Sequence, residues 1–155
     1  MLKWTWNSAR AAGVMPQGWL DLEGANLSDA NLRCANLSGC RGLLCAADWL
    51  RDSFETADKG IIVYKRFGVT NRKKPASWEI EANNVITEIC NPCRTTTCCC
   101  GVNFGTRAWC EKNYIGADLW ECLIEWIDLA GVVVPYNTDG KARCERMTLL
   151  RKVNP

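Results

Sequence analysis

Four five-residue units follow one another near the start of this 155-residue chain, between Leu20 and Gly39. Three of the units begin with Ala (Ala25, Ala30 and Ala35), and each of these Ala residues is followed by Leu two places later. A period of five fits neither the helical period of about 3.6 residues nor the strand period of about two. It fits a coil that turns one corner per unit, with Ala and Leu pointing inward. The sequence therefore predicts a stacked repeat architecture.

The repeated A-N-L-x-x pattern resembles the pentapeptide-repeat family, and this resemblance implies a right-handed quadrilateral β-helix. Four units would make about one coil of such a helix, and a solenoid is stabilised by the stacking of neighbouring repeats. A single coil therefore needs covers, and we expect them in residues 1–19, which include Trp4, Trp6 and Trp19, and in residues 40–54. Long members of the family that mimic DNA have many coils and acidic faces, so that function is not expected here.

The remainder of the chain alternates short strand patterns with two short helix patterns. We predict a helix within 46–56, ended by Lys59-Gly60, and a second helix over 107–113 with Thr106 as its N-cap. Strands are predicted at 61–67, 78–80, 85–89, 101–105 and 119–127, and a hairpin turn at 137–140 between 132–134 and 141–150. On strand 119–127, the residues Trp120, Cys122, Ile124 and Trp126 share one face.

Together these elements predict an α+β fold. One short right-handed pentapeptide-repeat β-helix coil is joined to a mostly antiparallel sheet with two short helices. Residues 1–58 form the N-terminal segment, with repeats at about 20–44 and a linker helix, and residues 59–155 form the α+β domain.

The absence of histidine from the sequence restricts the chemistry available to this chain. It excludes Cys-His and Ser-His-Asp catalysis and every His-ligated metal site. Glu121 and Glu125 fall on one strand face, and we interpret that face as solvated rather than as a pair of catalytic carboxylates. The segment 101–105 lacks the spacing and the Lys of a phosphate-binding loop. We therefore expect a protein without enzymatic activity.

Eleven cysteines are present, an odd number, and no apolar stretch of secretory-signal or membrane-spanning length accompanies them. This combination favours a cytoplasmic protein with free thiols, which commonly serve as small buried hydrophobic residues. Zinc bound by Cys90, Cys93, Cys98 and Cys100 is left open, because a C-x2-C pair is the usual half-site. No other cofactor is expected.

Four segments outside the repeat resemble a group of phage and prophage proteins that carry pentapeptide repeats ahead of a domain of unknown function. These segments are 63–67 (VYKRF), 78–80 (WEI), 98–104 (CCCGVNF) and 134–144 (VPYNTDGKARC). The resemblance implies a phage setting and no particular reaction.

Tyr64, Arg66, Asn103 and Tyr136 lie in or beside those segments, and we name them as candidate ligand-binding residues. Tyr and Arg are residue types that dominate binding hot spots. We expect a phage-type binding protein that counters host defence by binding a host protein. The alternatives are the sequestration or modification of a small nucleotide ligand, and a zinc-stabilised structural module. With a net charge of +2 and only the short basic run 72–74, neither nucleic acid nor a membrane is an expected partner, whereas homo-oligomers remain open.

Overall fold

The computed structural model describes residues 20–28, 30–68, 74–113 and 116–153. The proposed N-terminal cover, residues 1–19 with Trp4, Trp6 and Trp19, lies outside this part of the chain. Every helix within it falls short of the length and hydropathy that a bilayer span requires.

The repeat units share one turn, which explains their sequence pattern. In each unit, the backbone N–H of the residue after the unit donates to the Leu carbonyl, with N–O distances of 2.9–3.1 Å at Ala25, Ala30, Ala35 and Cys40. The Asn or Asp side chain of each unit also accepts a hydrogen bond from the backbone N–H two residues later, at 2.9–3.1 Å. Such Asx turns are the reason for a short polar side chain at the second position.

The four units return the chain to its starting point. Strand β1 (Leu20–Asp21) pairs in parallel with β2 (Cys40–Arg41), so that Leu20 lies beside Cys40. The Leu of each unit is half-buried, but Ala25 and Ala35 are exposed. Ala30 is half-buried, so within the described residues two of the three repeat Ala side chains lack the cover that a stacked neighbouring coil gives.

Beyond the repeat segment, the described residues form a curled antiparallel sheet of seven strands with few helices. Its strands are β3 (Glu55–Ala57), β4 (Gly60–Phe67), β5 (Val85–Thr87), β6 (Val102–Gly105), β7 (Asp118–Glu125), β8 (Lys141–Cys144) and β9 (Arg146–Val153). The order is β5-β9-β7-β4-β6-β8, with β3 paired to β4. Helix α1 (Ala46–Ser53) precedes β3, α2 (Arg107–Asn113) follows β6, and a 3-10 helix (Trp126–Gly131) follows β7. The predicted mixture of short helices and a mostly antiparallel sheet is confirmed at this level.

The centre of the sheet is the pairing of β4 with β7, in which all eight residues of each strand are matched. Val63 and Ile61 of β4 and Cys122 and Ile124 of β7 are buried in the core, as the alternating pattern indicates. Leu123 is also buried, so β7 is covered on both faces where the sheet curls. Trp126 is the exception to the predicted face. It lies beyond the end of β7 in the 3-10 helix, 48% exposed, and its indole N–H donates to the Asp58 carbonyl at 2.9 Å.

Three predicted elements differ from the structure because tertiary contacts decide them. Helix α1 ends at Ser53, and the following residues form β3, because they pair with β4 across a tight turn. Residues 78–80 are not a strand; Trp78 is a core residue whose indole donates to the Thr87 carbonyl at 2.8 Å. The hairpin expected at 137–140 is reduced to one bridge between Val133 and Arg143.

Two side chains tie the repeat segment to the sheet. The Asn137 amide donates to the Ala30 carbonyl at 2.6 Å. Arg94 donates to the carbonyls of Leu44 and Val134, each at 2.6 Å, and so bridges the end of the repeat segment and the sheet. The single turn is therefore supported by the α+β part of the chain.

Candidate functional site

A cleft of about 690 Å³ opens beside the central strand β4. It is bounded by β4, by the segment 74–80, by β6, and by the start of α2 and β7. Six aromatic side chains line it: Tyr64, Phe67, Trp78, Phe104, Trp109 and Trp120. A volume of this size lies within the range of about 300–1,000 Å³ that is typical of small-molecule sites.

The charged groups of the cleft are predominantly cationic. Lys65, Arg66, Lys74 and Lys141 line it, against the two carboxylates of Glu88 and Asp118. Asp118 is also paired with Lys152 at 2.7 Å, and Lys152 is not part of the lining. The four cationic side chains therefore outnumber the two carboxylates, and the cleft attracts an anion electrostatically.

Lys65 lies among the aromatic rings of the cleft. Its ammonium is 5.2 Å from the ring centroid of Phe67 and 5.3 Å from that of Trp78, and it donates to the Asn103 carbonyl at 2.7 Å. Cation–π contacts of this kind attract the ammonium towards the ring faces. The ammonium is thus positioned by the fold rather than extended into solvent.

Three of the four predicted ligand-binding residues line this cleft. Arg66 donates to the carbonyls of Cys110 and Ala117, which fixes α2 and the segment before β7 against β4. The Asn103 amide donates to the carbonyls of Cys99 and Gly101, at 3.3 and 3.0 Å, and holds the end of the cysteine-rich loop. Both side chains therefore shape the cleft as well as line it.

The phenol of Tyr64 lines the same cleft, while Tyr136 does not. Partial burial, and then the negative charge of Glu121, raise the pKa of Tyr64, so it remains a neutral donor at neutral pH. Tyr136 instead stacks on Arg94, whose guanidinium carbon is 4.0 Å from the ring centroid, at the contact between repeat and sheet. The structure gives Tyr136 a place in that contact and not in the cleft.

The indole N–H of Trp120 has no acceptor within the described part of the chain, although Trp120 is only 8% exposed and lines the cleft. Buried polar groups are nearly always hydrogen-bonded, so an unsatisfied one calls for a physical reason. The structure shows no such reason at Trp120, because its indole nitrogen is also closed to solvent.

The sequence did not indicate Lys65, Trp78 or Lys141 as site residues. The sequence predicts Trp78 within a strand, and Lys141 follows a turn motif that gives no sign of burial. The sequence contains one signal for Lys65, which lies on a predicted strand between the candidate ligand-binding residues Tyr64 and Arg66.

The cysteine-rich loop, residues 90–100, is organised by Arg143 of β8. Arg143 is fully buried, and its guanidinium donates to the carbonyls of Asn91 at 2.9 Å, Cys93 at 2.5 Å and Thr96 at 2.8 Å. A planar guanidinium with five N–H donors suits several carbonyls at once. The loop is therefore wrapped around a single arginine side chain.

The four zinc candidates take separate places around that loop. The Cys93 sulfur contacts the Thr95 hydroxyl at 3.1 Å, and this hydrogen bond lowers the pKa of Cys93. The Cys98 sulfur instead accepts a hydrogen bond from Lys141. Partial burial raises the pKa of Cys90, and Cys100 lines the cleft. Within the ranges that the structure describes, no three Cys, Asp or Glu side chains are placed to hold one metal ion.

Three other thiols lie in the core. Burial raises the pKa of Cys110 to about 11 and that of Cys122 to about 12, and it raises the pKa of Cys144 as well. These groups remain neutral thiols at neutral pH, in the hydrophobic role that the sequence indicated.

Of the two carboxylates considered from the sequence, Glu121 and Glu125, the structure places Glu121 in an ion pair. Glu121 accepts two hydrogen bonds from Arg151, at 3.1 and 2.9 Å, across β7 and β9. Neither Glu121 nor Glu125 lines the cleft.

A family model described as "Pentapeptide repeats (8 copies)" matches residues 19–41. The chain carries pentapeptide repeats. The match covers only this segment and does not extend to the sheet or the cleft. No curated protein matches the chain, and no solved structure matches it.

Proposed function

We propose that this pentapeptide-repeat protein is a non-enzymatic binding protein whose cleft takes a small anionic ligand with a planar ring, such as a nucleotide. The proposal rests on one observation: four cationic side chains line the same cleft as six aromatic side chains, against two carboxylates.

Each part of the ligand would have a matching group. A phosphate group suits the excess of positive charge, to which Lys65 and Lys141 contribute. A base stacked on an aromatic side chain contributes about 1–3 kcal/mol.

Binding is favoured over catalysis by the chemistry of the lining residues. The chain has no histidine, and the Cys110 thiol in the cleft is held neutral by burial. Arg66 and Lys65 are fixed by backbone carbonyls, which suits the recognition of an anion.

The test is calorimetric titration of the full chain with AMP, GMP and UMP, with adenosine and pyrophosphate as ligands that lack the charge or the ring. We expect the nucleotides to bind and both partial ligands to bind more weakly. Lys65→Met removes one hydrogen bond from the Lys65 ammonium to the ligand phosphate. A charged hydrogen bond of this kind contributes about 1.5–3 kcal/mol, so its loss should weaken binding by roughly 10- to 100-fold. The control Lys112→Met removes an equal charge from the exposed end of α2, outside the cleft, and should leave the affinity within about twofold.

Equal weakening by the Lys65 and Lys112 variants would show that only net charge matters and would reject the cleft as the site. Failure of all three nucleotides to bind at millimolar concentration would reject this ligand class.

A second candidate function is the binding of a protein partner, as the sequence suggested. A shallow groove elsewhere on the surface is lined by Ile89 and Ile127, which are 80% and 81% exposed. Exposed apolar side chains grouped in this way are typical of interaction surfaces. In the phage setting that the resemblance implies, such a partner would be a host protein, bound to counter host defence.

The groove is tested by pull-down from a bacterial lysate with the wild-type chain and with the double variant Ile89→Ser/Ile127→Ser. This candidate predicts a protein recovered by the wild type and lost from the double variant. Equal recovery by both would exclude the groove.

We also propose that residues 20–41 form one coil of a right-handed pentapeptide-repeat β-helix. The support is the parallel pairing of Leu20 with Cys40, at the separation that four units give. A crystal structure that placed these residues outside that register would reject the coil.

A further inference from the structure

The thiol of Cys98 and the amine of Lys141 are in direct contact, at a distance of 2.8 Å between Sγ and Nζ. They come from different parts of the fold, since Cys98 lies in the cysteine-rich loop and Lys141 begins β8. Cys98 is exposed, whereas Lys141 is only 7% exposed. An amine that is almost fully buried therefore faces a thiol that oxidants in solution can reach.

Both partners are held in place by their neighbours. The Thr138 hydroxyl accepts the backbone N–H of Lys141 at 3.0 Å and donates to the Lys141 carbonyl at 2.6 Å. On the other side, Arg143 anchors the Thr96 carbonyl and Asn103 anchors the Cys99 carbonyl, so the backbone is fixed before and after Cys98. The backbone segments that carry the two side chains are consequently fixed, and burial restricts the Lys141 side chain.

We propose that Cys98 and Lys141 form a reversible covalent crosslink, in which one oxygen atom joins the lysine nitrogen to the cysteine sulfur. The oxidant is dioxygen. The Lys141 ammonium first releases one proton to solvent. The resulting neutral amine and the thiol each give up one hydrogen atom, one oxygen atom enters the N–O–S bridge, and the other leaves as water. Sulfur and nitrogen each lose two electrons, which together supply the four that dioxygen accepts. Thiol reductants reverse the step by returning four electrons, with release of the bridging oxygen as water.

The crosslink would act on the fold and on the cleft. It would join the cysteine-rich loop covalently to β8, close to the contacts that Arg143 already makes with that loop. It would also replace the Lys141 ammonium by a nitrogen bonded to oxygen, which is far less basic, and so remove one positive charge from the cleft. The crosslink itself stands whether or not the cleft binds a nucleotide.

Intact-mass measurement of the full chain tests the proposal, after purification with reductant and again after exposure to air. We expect a gain equal to one oxygen less two hydrogens, which dithiothreitol reverses. Tryptic digestion of the oxidised chain should yield one crosslinked pair of peptides, with the bridge between Cys98 and Lys141 and no cleavage after Lys141.

Variants separate this bridge from other cysteine chemistry. Cys98→Ser and Lys141→Arg should each abolish the mass gain, whereas the matched control Cys100→Ser, at a neighbouring exposed cysteine, should retain it. Melting temperatures verify that each variant is folded. Persistence of the gain in either of the first two variants would overturn the proposal. A loss of two hydrogens without added oxygen would also overturn it, because that result marks a disulfide or a direct S–N bond. An unchanged mass of the wild-type chain after exposure to air would overturn the proposal too.

Discussion

Replacement of Arg143 by Met tests what holds the cysteine-rich loop in its conformation. Met has a similar length and hydrophobic stem but carries no donor, so the carbonyls of Asn91, Cys93 and Thr96 each lose a charged hydrogen bond. Hydrogen bonds to charged groups contribute about 1.5–3 kcal/mol each. The desolvation of a buried arginine offsets part of that gain. We expect a net loss of about 3–5 kcal/mol in the free energy of unfolding, against a total of about 5–15 kcal/mol for a typical domain.

Urea unfolding followed by tryptophan fluorescence measures this loss, and amide hydrogen exchange should show that protection falls first in residues 90–100. Arg146→Met is the matched control. Arg146 is partly exposed, and its one ion pair, with Asp128 at 3.4 Å, should cost less than about 1 kcal/mol. A loss below 1 kcal/mol for Arg143→Met, with unchanged exchange in the loop, would refute the role assigned to Arg143.

Three further predictions concern the repeat, the core thiols and metal. Gly42→Ala should destabilise the repeat segment by more than about 2 kcal/mol, because a Cβ there lies 2.1 Å from the Glu23 backbone nitrogen at a φ of +67°. Gly24→Ala, at a φ of +70° in open space, should cost only about 1–2 kcal/mol of strain; equal losses in urea unfolding would contradict the close approach. Because burial raises the pKa values of Cys110 and Cys122 to about 11 and 12, the unfolded chain releases these protons at a lower pH than the folded protein does. The free energy of unfolding should therefore fall from about pH 9 upward, by up to about 1.4 kcal/mol per pH unit for each thiol, and Cys122→Val should reduce that slope. An unchanged slope in this variant would rule out its contribution. Finally, EDTA should leave the melting temperature unchanged, because Arg143 rather than a metal holds the loop; a fall on chelation would restore the zinc alternative.

The elements that the sequence predicts well are those with strong local signals. The β4 and β7 strands follow from their alternating or β-branched patterns, and α2 follows from its cap, where the Thr106 hydroxyl accepts the Trp109 backbone N–H at 3.2 Å. The turns of the repeat are also local, because each Asn bonds a backbone N–H two residues ahead.

The features that the sequence did not indicate depend on distant partners. Residues 55–57 continue a helical pattern, but pairing with β4 makes them a strand. Trp126 continues an alternating pattern, but β7 ends before it. The contact of Cys98 with Lys141 joins residues 43 positions apart, and no local period relates them. Three of the four ligand candidates line the cleft because β4 and β6 are adjacent in the sheet, whereas Tyr136 lies at the repeat contact instead.

The most direct test of the proposed ligand site is a titration of the isotopically labelled full chain with AMP, followed by ¹H–¹⁵N correlation NMR. The account predicts that the backbone amides of Lys65 and Asn103 shift together with the indole N–H of Trp120, because all three residues line the cleft. Amides around Ile89 and Ile127 should stay in place. Shifts confined to those two isoleucines, or no shifts at millimolar AMP, would contradict the assignment of the cleft as a nucleotide-binding site.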